Sequence, residues 1–140
     1  MTSITQFPGV DIHRQAILQA LRLETGFWYL ATPYSKYVGG LEAAHVAACQ
    51  MAGNLMKLGI PIFCPIAHSH SISKHGGVPA LDHEVWLPAD KPMMDAAYGL
   101  IVGKLNGWQT SFGISEEIRC FQSAKKLVHY ICPESLHESA

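Results

Sequence analysis

Short apolar runs alternate along the chain with longer segments in which apolar residues recur every three or four positions. The short runs are typical of buried strands, and four of them occur, at 27–31 (FWYLA), 60–64, 99–103 (GLIVG) and 126–132. The three-and-four spacing places apolar side chains on one face of a helix, and it predicts helices near 11–24 and 41–58 and a turn feeding a helix within 111–126. Strands and helices therefore follow one another in turn.

Alternating strands and helices predict a single α/β domain spanning residues 1–140. We expect a small three-layer, flavodoxin-like or Rossmann-like fold with a mostly parallel sheet of four to five strands. Residues 1–10 and 133–140 are predicted to be an N-terminal arm and a C-terminal tail. Residues 66–89 contain four histidines, two prolines and two adjacent glycines, and we expect a long loop there with one helical turn near 81–86, followed by a short helix at 90–97.

One helix near the C-terminus carries an acidic residue at the edge of its apolar face. Its apolar stripe consists of Ile114, Ile118 and Phe121, and a helical projection places Glu117 beside this stripe and Glu116 on the opposite, wet side. An acidic residue near a helix N-terminus can simply complement the helix dipole, and Glu116 suits that role. A partly desolvated carboxylate at Glu117 suits a nucleophile or general base instead.

Composition mainly excludes classes of function. Charged residues make up 15% of the chain, the net charge is -1, and the basic residues form no stripe, so we predict no binding of a nucleic acid duplex. No apolar run reaches the length of a membrane span, and a cytoplasmic protein that does not bind membranes is expected. The low surface charge favours a homo-oligomer. The four cysteines form no CxxC pair and are predicted to be buried apolar residues.

Three segments resemble the nucleoside 2-deoxyribosyltransferase superfamily, including its branch of deoxynucleoside 5'-monophosphate N-glycosidases. The first is YLATPYS at 29–35, similar to the family's opening nucleotide-binding loop. The second is Asp90, followed eight residues later by Tyr98 and the strand GLIV, although Tyr98 stands where the family usually has an aspartate. The third is SFGISEE at 111–117, similar to the S-x-G-x-x-x-E segment of the monophosphate branch.

The resemblance implies cleavage of the N-glycosidic bond of a nucleoside or nucleotide, or transfer of its deoxyribosyl group. Glu117 would be the nucleophile at C1', and Asp90 would position the sugar and assist proton transfer. Ser111 would contact a 5'-phosphate or the 5' end of the sugar. No cofactor and no metal ion are implied.

Because ligands of parallel sheets bind at the carboxyl ends of the strands, further residues there are candidates for binding substrate. Gly113 could expose backbone N–H groups to an anion, and Tyr34 and Ser35 could line the site from the first loop. Each has a plainer alternative: Gly113 could give the helix a tight entry, and the two loop residues could be solvated. Ser111 and Asp90 could likewise be helix caps.

Two other classes of function are compatible with the sequence. A non-catalytic module could use the same strand ends to bind a nucleotide without depending on Glu117. The histidine-rich loop suggests a metal-dependent hydrolase, since His68 and His70 would share one side of an extended segment and His75 or His83 could complete a site. No second dense ligand motif such as HExxH accompanies them.

Overall fold

A computed structural model describes residues 8–136 of the 140-residue chain. Within this range five α-helices and four β-strands follow one another, with two short 3-10 helices at Trp108–Thr110 and Pro133–Leu136. The bounds are α1 Pro8–Leu21, β1 Trp28–Ala31, α2 Leu41–Lys57, β2 Ile62–Phe63, α3 Pro65–Gly76, α4 His83–Ala96, β3 Gly99–Gly103, α5 Phe112–Ser123 and β4 Leu127–Ile131.

The four strands form one parallel sheet in the order β2-β1-β3-β4. One face of the sheet is covered by α1 and α2, and the other face by α4 and α5. This arrangement confirms the predicted three-layer α/β fold with a parallel sheet. Both faces are covered, which is why the central strands β1 and β3 are continuous buried apolar runs rather than alternating ones.

Side chains of β1 divide the core into two halves because successive residues of a strand point to opposite faces. Trp28 and Leu30 pack with α1 and α2, whereas Tyr29 and Ala31 pack with α4 and α5. The Trp28 indole also donates a hydrogen bond of 2.8 Å to the carbonyl oxygen of Leu21, at the end of α1. The ring therefore ties the first helix to the centre of the sheet.

The loop predicted at 66–89 is wrong, because most of this segment is helical. Helix α3 begins directly after β2 with Pro65 in its first turn, and α4 begins at His83 rather than near residue 90. Two prolines lie inside α4: Pro88, which suggested an irregular segment, and Pro92, which was predicted in the first turn of a short helix. Both are exposed and lie four residues apart, so they share the solvent side of the helix.

Lys126 fixes the end of α4 against the neighbouring helix and strand. Its ammonium group donates to the carbonyl oxygens of Met94, Asp95 and Ala97 at 3.0, 2.6 and 2.7 Å. These are carbonyls of the last helical turn and the C-cap, where a cation also complements the helix dipole. The position of α4, and of the side chains it carries, is therefore set from the junction between α5 and β4.

The predicted terminal segments are only partly described. Helix α1 begins at Pro8, inside the predicted arm, and residues 1–7 and 137–140 lie outside the described range. At the other end Leu136 is buried in the core, so at least 133–136 is packed. The prediction of buried cysteines holds only in part: Cys64 is buried, but Cys49 and Cys132 are exposed. None of the helices in 8–136 is long and apolar enough to cross a membrane.

Candidate functional site

A cleft lies at the carboxyl ends of β1 and β3, the two central strands. From β1 the chain proceeds through α2 to the strand on one side, and from β3 it proceeds through α5 to the strand on the other. A crevice at such a reversal is the usual ligand site of an open parallel sheet. The space in and in front of the cleft amounts to about 680 Å³, open solvent included.

All six residues that the sequence suggested for a site line this cleft. The loop after β1 contributes Tyr34 and Ser35, α4 contributes Asp90, and the start of α5 contributes Ser111, Gly113 and Glu117. Their positions follow from the topology, because the carboxyl ends of parallel strands meet at one edge of the sheet. Their roles in binding or catalysis stay predictions.

Glu117 lies one turn into α5, and its carboxyl group is enclosed where the helix packs on the sheet. Burial raises the pKa of Glu117 from 4.5 to about 8. The hydroxyl group of Tyr29 favours the ionised carboxylate and offsets part of this rise, whereas the negative charge of Asp90 adds to it. The side chain still borders the cleft and is not sealed in the core. In the unliganded cleft at neutral pH, Glu117 is mostly protonated.

Asp90 lies on the same cleft, in the middle of α4. Burial raises the pKa of its carboxyl group to about 6, and nearby His68 offsets part of this effect. The cap of α4 is Asp82, so the suggestion that Asp90 caps a helix ahead of Pro92 is wrong. At neutral pH the Asp90 carboxyl is mostly ionised.

Tyr29 is a member of the site that sequence reasoning missed. It is fully buried in β1. Its hydroxyl group makes no hydrogen bond of good geometry to another described residue. The pKa of Tyr29 is raised far above its usual value, first by burial and then by the charges of Glu117 and Asp90. The hydroxyl is therefore a neutral donor beside the two carboxyl groups. The sequence feature that could have identified it is a tyrosine inside the buried apolar run FWYLA.

Ser111 caps α5. Its hydroxyl oxygen accepts a hydrogen bond of 3.2 Å from the backbone N–H of Ile114, and the side chain is buried. The capping role is thus present, and the hydroxyl proton remains as a donor toward the cleft. Gly113 has no positive φ, and a Cβ there would meet nothing nearer than the Ser111 Oγ at 4.0 Å. Gly113 therefore does not provide a tight helix entry. Because it has no side chain, it leaves space at the wall of the cleft.

A chain of hydrogen bonds holds Tyr34 at the cleft. Its hydroxyl lies 2.6 Å from His70 Nδ1, and His70 Nε2 lies 2.9 Å from a carboxylate oxygen of Glu42. His70 is buried on α3, and Glu42 is in the first turn of α2. The chain joins the loop after β1 to two helices, so the orientation of Tyr34 is set from outside the cleft. The sequence did not single out Glu42.

The metal site suggested for the histidine-rich segment does not form as predicted. Because this segment is helical, His68 and His70 do not share a side: His68 is exposed near the Phe63 ring, whereas His70 is buried against α2. His83 lies at the start of α4, where its ring packs at 4.8 Å from Phe112 beside the cleft. The three imidazoles are thus directed to different neighbours.

The site can support acid–base and nucleophilic chemistry at one bound molecule. Glu117 and Asp90, with pKa values near 8 and near 6, border the same cleft. Because these pKa values differ, Glu117 is protonated and Asp90 is ionised at neutral pH. Apolar residues of the wall include Trp86 and Leu87 of α4 and Ile66 of α3. An aromatic ring and an aliphatic side chain suit a planar heterocycle.

Comparison with known proteins gives one family. A family model described as "Domain of unknown function (DUF1937)" matches residues 26–132, which include every element from β1 to β4. No curated protein matches the chain.

Proposed function

The chain belongs to the DUF1937 family, and from the chemistry of its cleft we propose that it cleaves the N-glycosidic bond of a nucleoside or nucleotide. The observation that carries the proposal is the pairing of Glu117 and Asp90, two carboxyl groups with raised pKa values, on one cleft at the strand ends. Perturbed carboxyl pairs of this kind are a mark of catalytic sites. The resemblance of the segments around them to deoxyribosyltransferases supplies the class of substrate.

In the proposed reaction the one proton of the carboxyl pair lies on Asp90, and the ionised Glu117 attacks C1' of the sugar. The C1'–N bond breaks, its electron pair leaves with the base, and the base takes a proton from the Asp90 carboxyl. Water then attacks C1', gives its proton to Asp90 and releases Glu117. The sugar passes through an oxocarbenium-like state in both steps, which a nearby carboxylate stabilises. In transfer, a second base takes the place of the water.

The Tyr29 hydroxyl supports Glu117 in this reaction. A buried, neutral donor beside the carboxylate stabilises its ionised form and restricts its orientation. Ser111 lies at the N-terminus of α5, where its hydroxyl and the helix dipole suit a phosphate or the 5' end of a sugar. Trp86 would contact the face of the base.

The order of the pKa values favours a second assignment of the roles of Glu117 and Asp90 in the same reaction. Since Glu117 retains its proton to higher pH than Asp90, Glu117 could protonate the leaving base while the ionised Asp90 stabilises the sugar cation. Both assignments place one proton on the pair of carboxyl groups, so both predict base release that is greatest between about pH 6 and pH 8. The leaving group of the substrate, and not the pH profile, separates them.

The test is chromatographic detection of free base after incubation with deoxynucleosides, their 5'-monophosphates and ribonucleotides. We expect release by the wild type and a loss of at least about a hundredfold in Glu117→Gln and Asp90→Asn. Glu116→Gln is the matched control: it changes the neighbouring glutamate of the same helix, which pairs with Arg119 at 2.6 Å instead of facing the cleft.

A nitrophenyl 2-deoxyriboside separates the two roles of Glu117. Its leaving group needs no protonation, so Glu117→Gln would regain activity on it if Glu117 is the proton donor and would stay inactive if Glu117 is the nucleophile. Absence of base release from every substrate, with the wild type folded, would contradict the proposal. Binding of a nucleotide that persists in Glu117→Gln would then favour the non-catalytic module.

Self-association and location are further proposals. A homo-oligomer is proposed from the low share of charged residues, 15% of the chain, and sedimentation velocity would reveal it as a species heavier than the 15.3 kDa chain. A nucleoside or nucleotide substrate fits a cytoplasmic protein, which cell fractionation would test.

A further inference from the structure

A cluster of potential metal ligands lies behind the cleft, between α2 and α3. Glu42 and His45 are three residues apart on α2 and therefore occupy the same face of the helix, and His70 approaches them from α3. One ligating atom from each of the three residues lies within 4.8 Å of those of the other two. The imidazole rings of His45 and His70 are stacked, with centroids 4.3 Å apart.

The ordinary hydrogen bonds of this cluster leave one buried nitrogen without a partner. His70 is satisfied on both sides, by Tyr34 and by Glu42, but His45 Nδ1 is buried and has no hydrogen-bond partner within the described part of the chain. An unpaired buried nitrogen destabilises the fold. A metal ion bound in the cluster would coordinate the His45 imidazole and so satisfy it.

We propose that Glu42, His45 and His70 bind a divalent zinc ion. Two imidazoles and one carboxylate are a ligand set that zinc uses widely, with water in the remaining position. A glutamate and a histidine three residues apart on a helix also present both ligands on one side, as in helical metal proteins. The exposed thiol of Cys49, whose Sγ lies 3.5 Å from His45 Nε2, is a further donor at the rim.

The ion would act on the cleft through Tyr34. Without metal, His70 Nε2 donates its proton to Glu42, and Nδ1 accepts the hydroxyl proton of Tyr34. With Nε2 bound to zinc, the ring proton lies on Nδ1 and is donated to the Tyr34 oxygen, which is a common second contact of a metal-bound histidine. The Tyr34 hydroxyl proton is then free to face a ligand in the cleft. Zinc therefore changes Tyr34 from a donor to His70 into a donor to the cleft.

Isothermal titration of the metal-free protein with zinc chloride tests the proposal without reference to catalysis. We expect saturable binding of one ion per chain, weakened by at least about tenfold in His45→Ala and in His70→Ala. His75→Ala is the matched control, because His75 is exposed on the same helix as His70 and lies outside the cluster. Glu42→Gln is a milder variant, since Glu42 is 65% exposed and its loss should not unfold the chain.

Cobalt(II) supplies a spectroscopic readout of the same site. Two imidazoles and a carboxylate around Co²⁺ in a tetrahedral site give visible d–d absorption, which should appear in the wild type and in His75→Ala and be lost in His45→Ala and Glu42→Gln. Circular dichroism checks that each variant is folded. No saturable binding by the folded wild type, or equal binding by the wild type, His45→Ala and Glu42→Gln, would overturn the proposal.

Discussion

Replacing Glu117 with glutamine should stabilise the protein at high pH. Burial raises the pKa of this carboxyl from 4.5 to about 8, so between these pH values the folded chain holds a proton that the unfolded chain has lost. The unfolding free energy of the wild type therefore falls as the pH rises through this window, by about 1.4 kcal/mol per pH unit. Glutamine has nearly the same shape and does not titrate, so the variant lacks this loss.

The size of the effect follows from the same shift. The full rise of the pKa corresponds to roughly 5 kcal/mol above pH 8, where the folded chain must hold an ionised carboxylate in an enclosed place. The cleft admits water to one side of the Glu117 carboxyl, and the Tyr29 hydroxyl supports its ionised form, whereas the charge of Asp90 opposes it. We expect a difference of about 2–4 kcal/mol to develop between pH 5 and pH 9, most of it below pH 8.

Urea denaturation at pH 5, 6, 7, 8 and 9 measures this difference. The unfolding free energy of Glu117→Gln minus that of the wild type should grow steadily with pH. Glu116→Gln is the control, because Glu116 pairs with Arg119 at the surface and has a lowered pKa, so its curve should run parallel to that of the wild type over this range. Parallel curves for Glu117→Gln and the wild type would refute the reasoning, since they would mean that Glu117 is not held in a desolvating place.

Two further substitutions test the elements around the cleft. Ser111→Ala removes the cap of α5 and should lower the unfolding free energy by about 1 kcal/mol, while Ser115→Ala, at an exposed position of the same helix, should change it little; equal losses in urea denaturation would contradict the capping role. Gly107→Ala should cost at least about 2 kcal/mol, because Gly107 has a φ of 87° and an added Cβ would collide with the carbonyl oxygen of Lys36. Equal melting temperatures of Gly107→Ala and the wild type would contradict this prediction, since the loops that contain Gly107 and Lys36 would then separate easily.

The strands were largely readable from the sequence. The run predicted at 99–103 is the observed β3, and the run at 27–31 contains β1. Central strands of a parallel sheet are buried on both faces, so their apolar character is continuous and does not depend on a particular partner. The predicted β2 is longer than the observed pair Ile62–Phe63, because it lies at the edge of the sheet and pairs only with β1.

The helices between β2 and β3 were not readable from the sequence. Proline and glycine in 65–92 indicate breaks when each residue is considered locally. In the folded chain Pro65 begins α3, and the two prolines of α4 face solvent. Only the end of α4 was predicted, as a short helix at 90–97 with Pro92 in its first turn. Lys126, more than thirty positions from the middle of α4, caps that helix. Contacts with distant residues therefore outweigh the local preference.

The sequence by itself determined which residues meet at the strand ends. Glu117 was selected by its place beside an apolar stripe, Tyr34 by its loop at the end of a predicted strand, and Asp90 and Ser111 by the resemblance of their segments to a known family. Such assignments need only the order of elements, because parallel strands bring their carboxyl ends to one edge. All four residues line the cleft.

Tertiary structure alone decided the properties of these groups. The raised pKa of Glu117 depends on how closely α5 packs on the sheet and on Tyr29 facing it from β1. The link from Tyr34 through His70 to Glu42 joins residues up to 36 positions apart that only the docking of α3 on α2 brings together. Desolvation and hydrogen bonding depend on distances between elements, and a pattern along the chain records only the order of those elements.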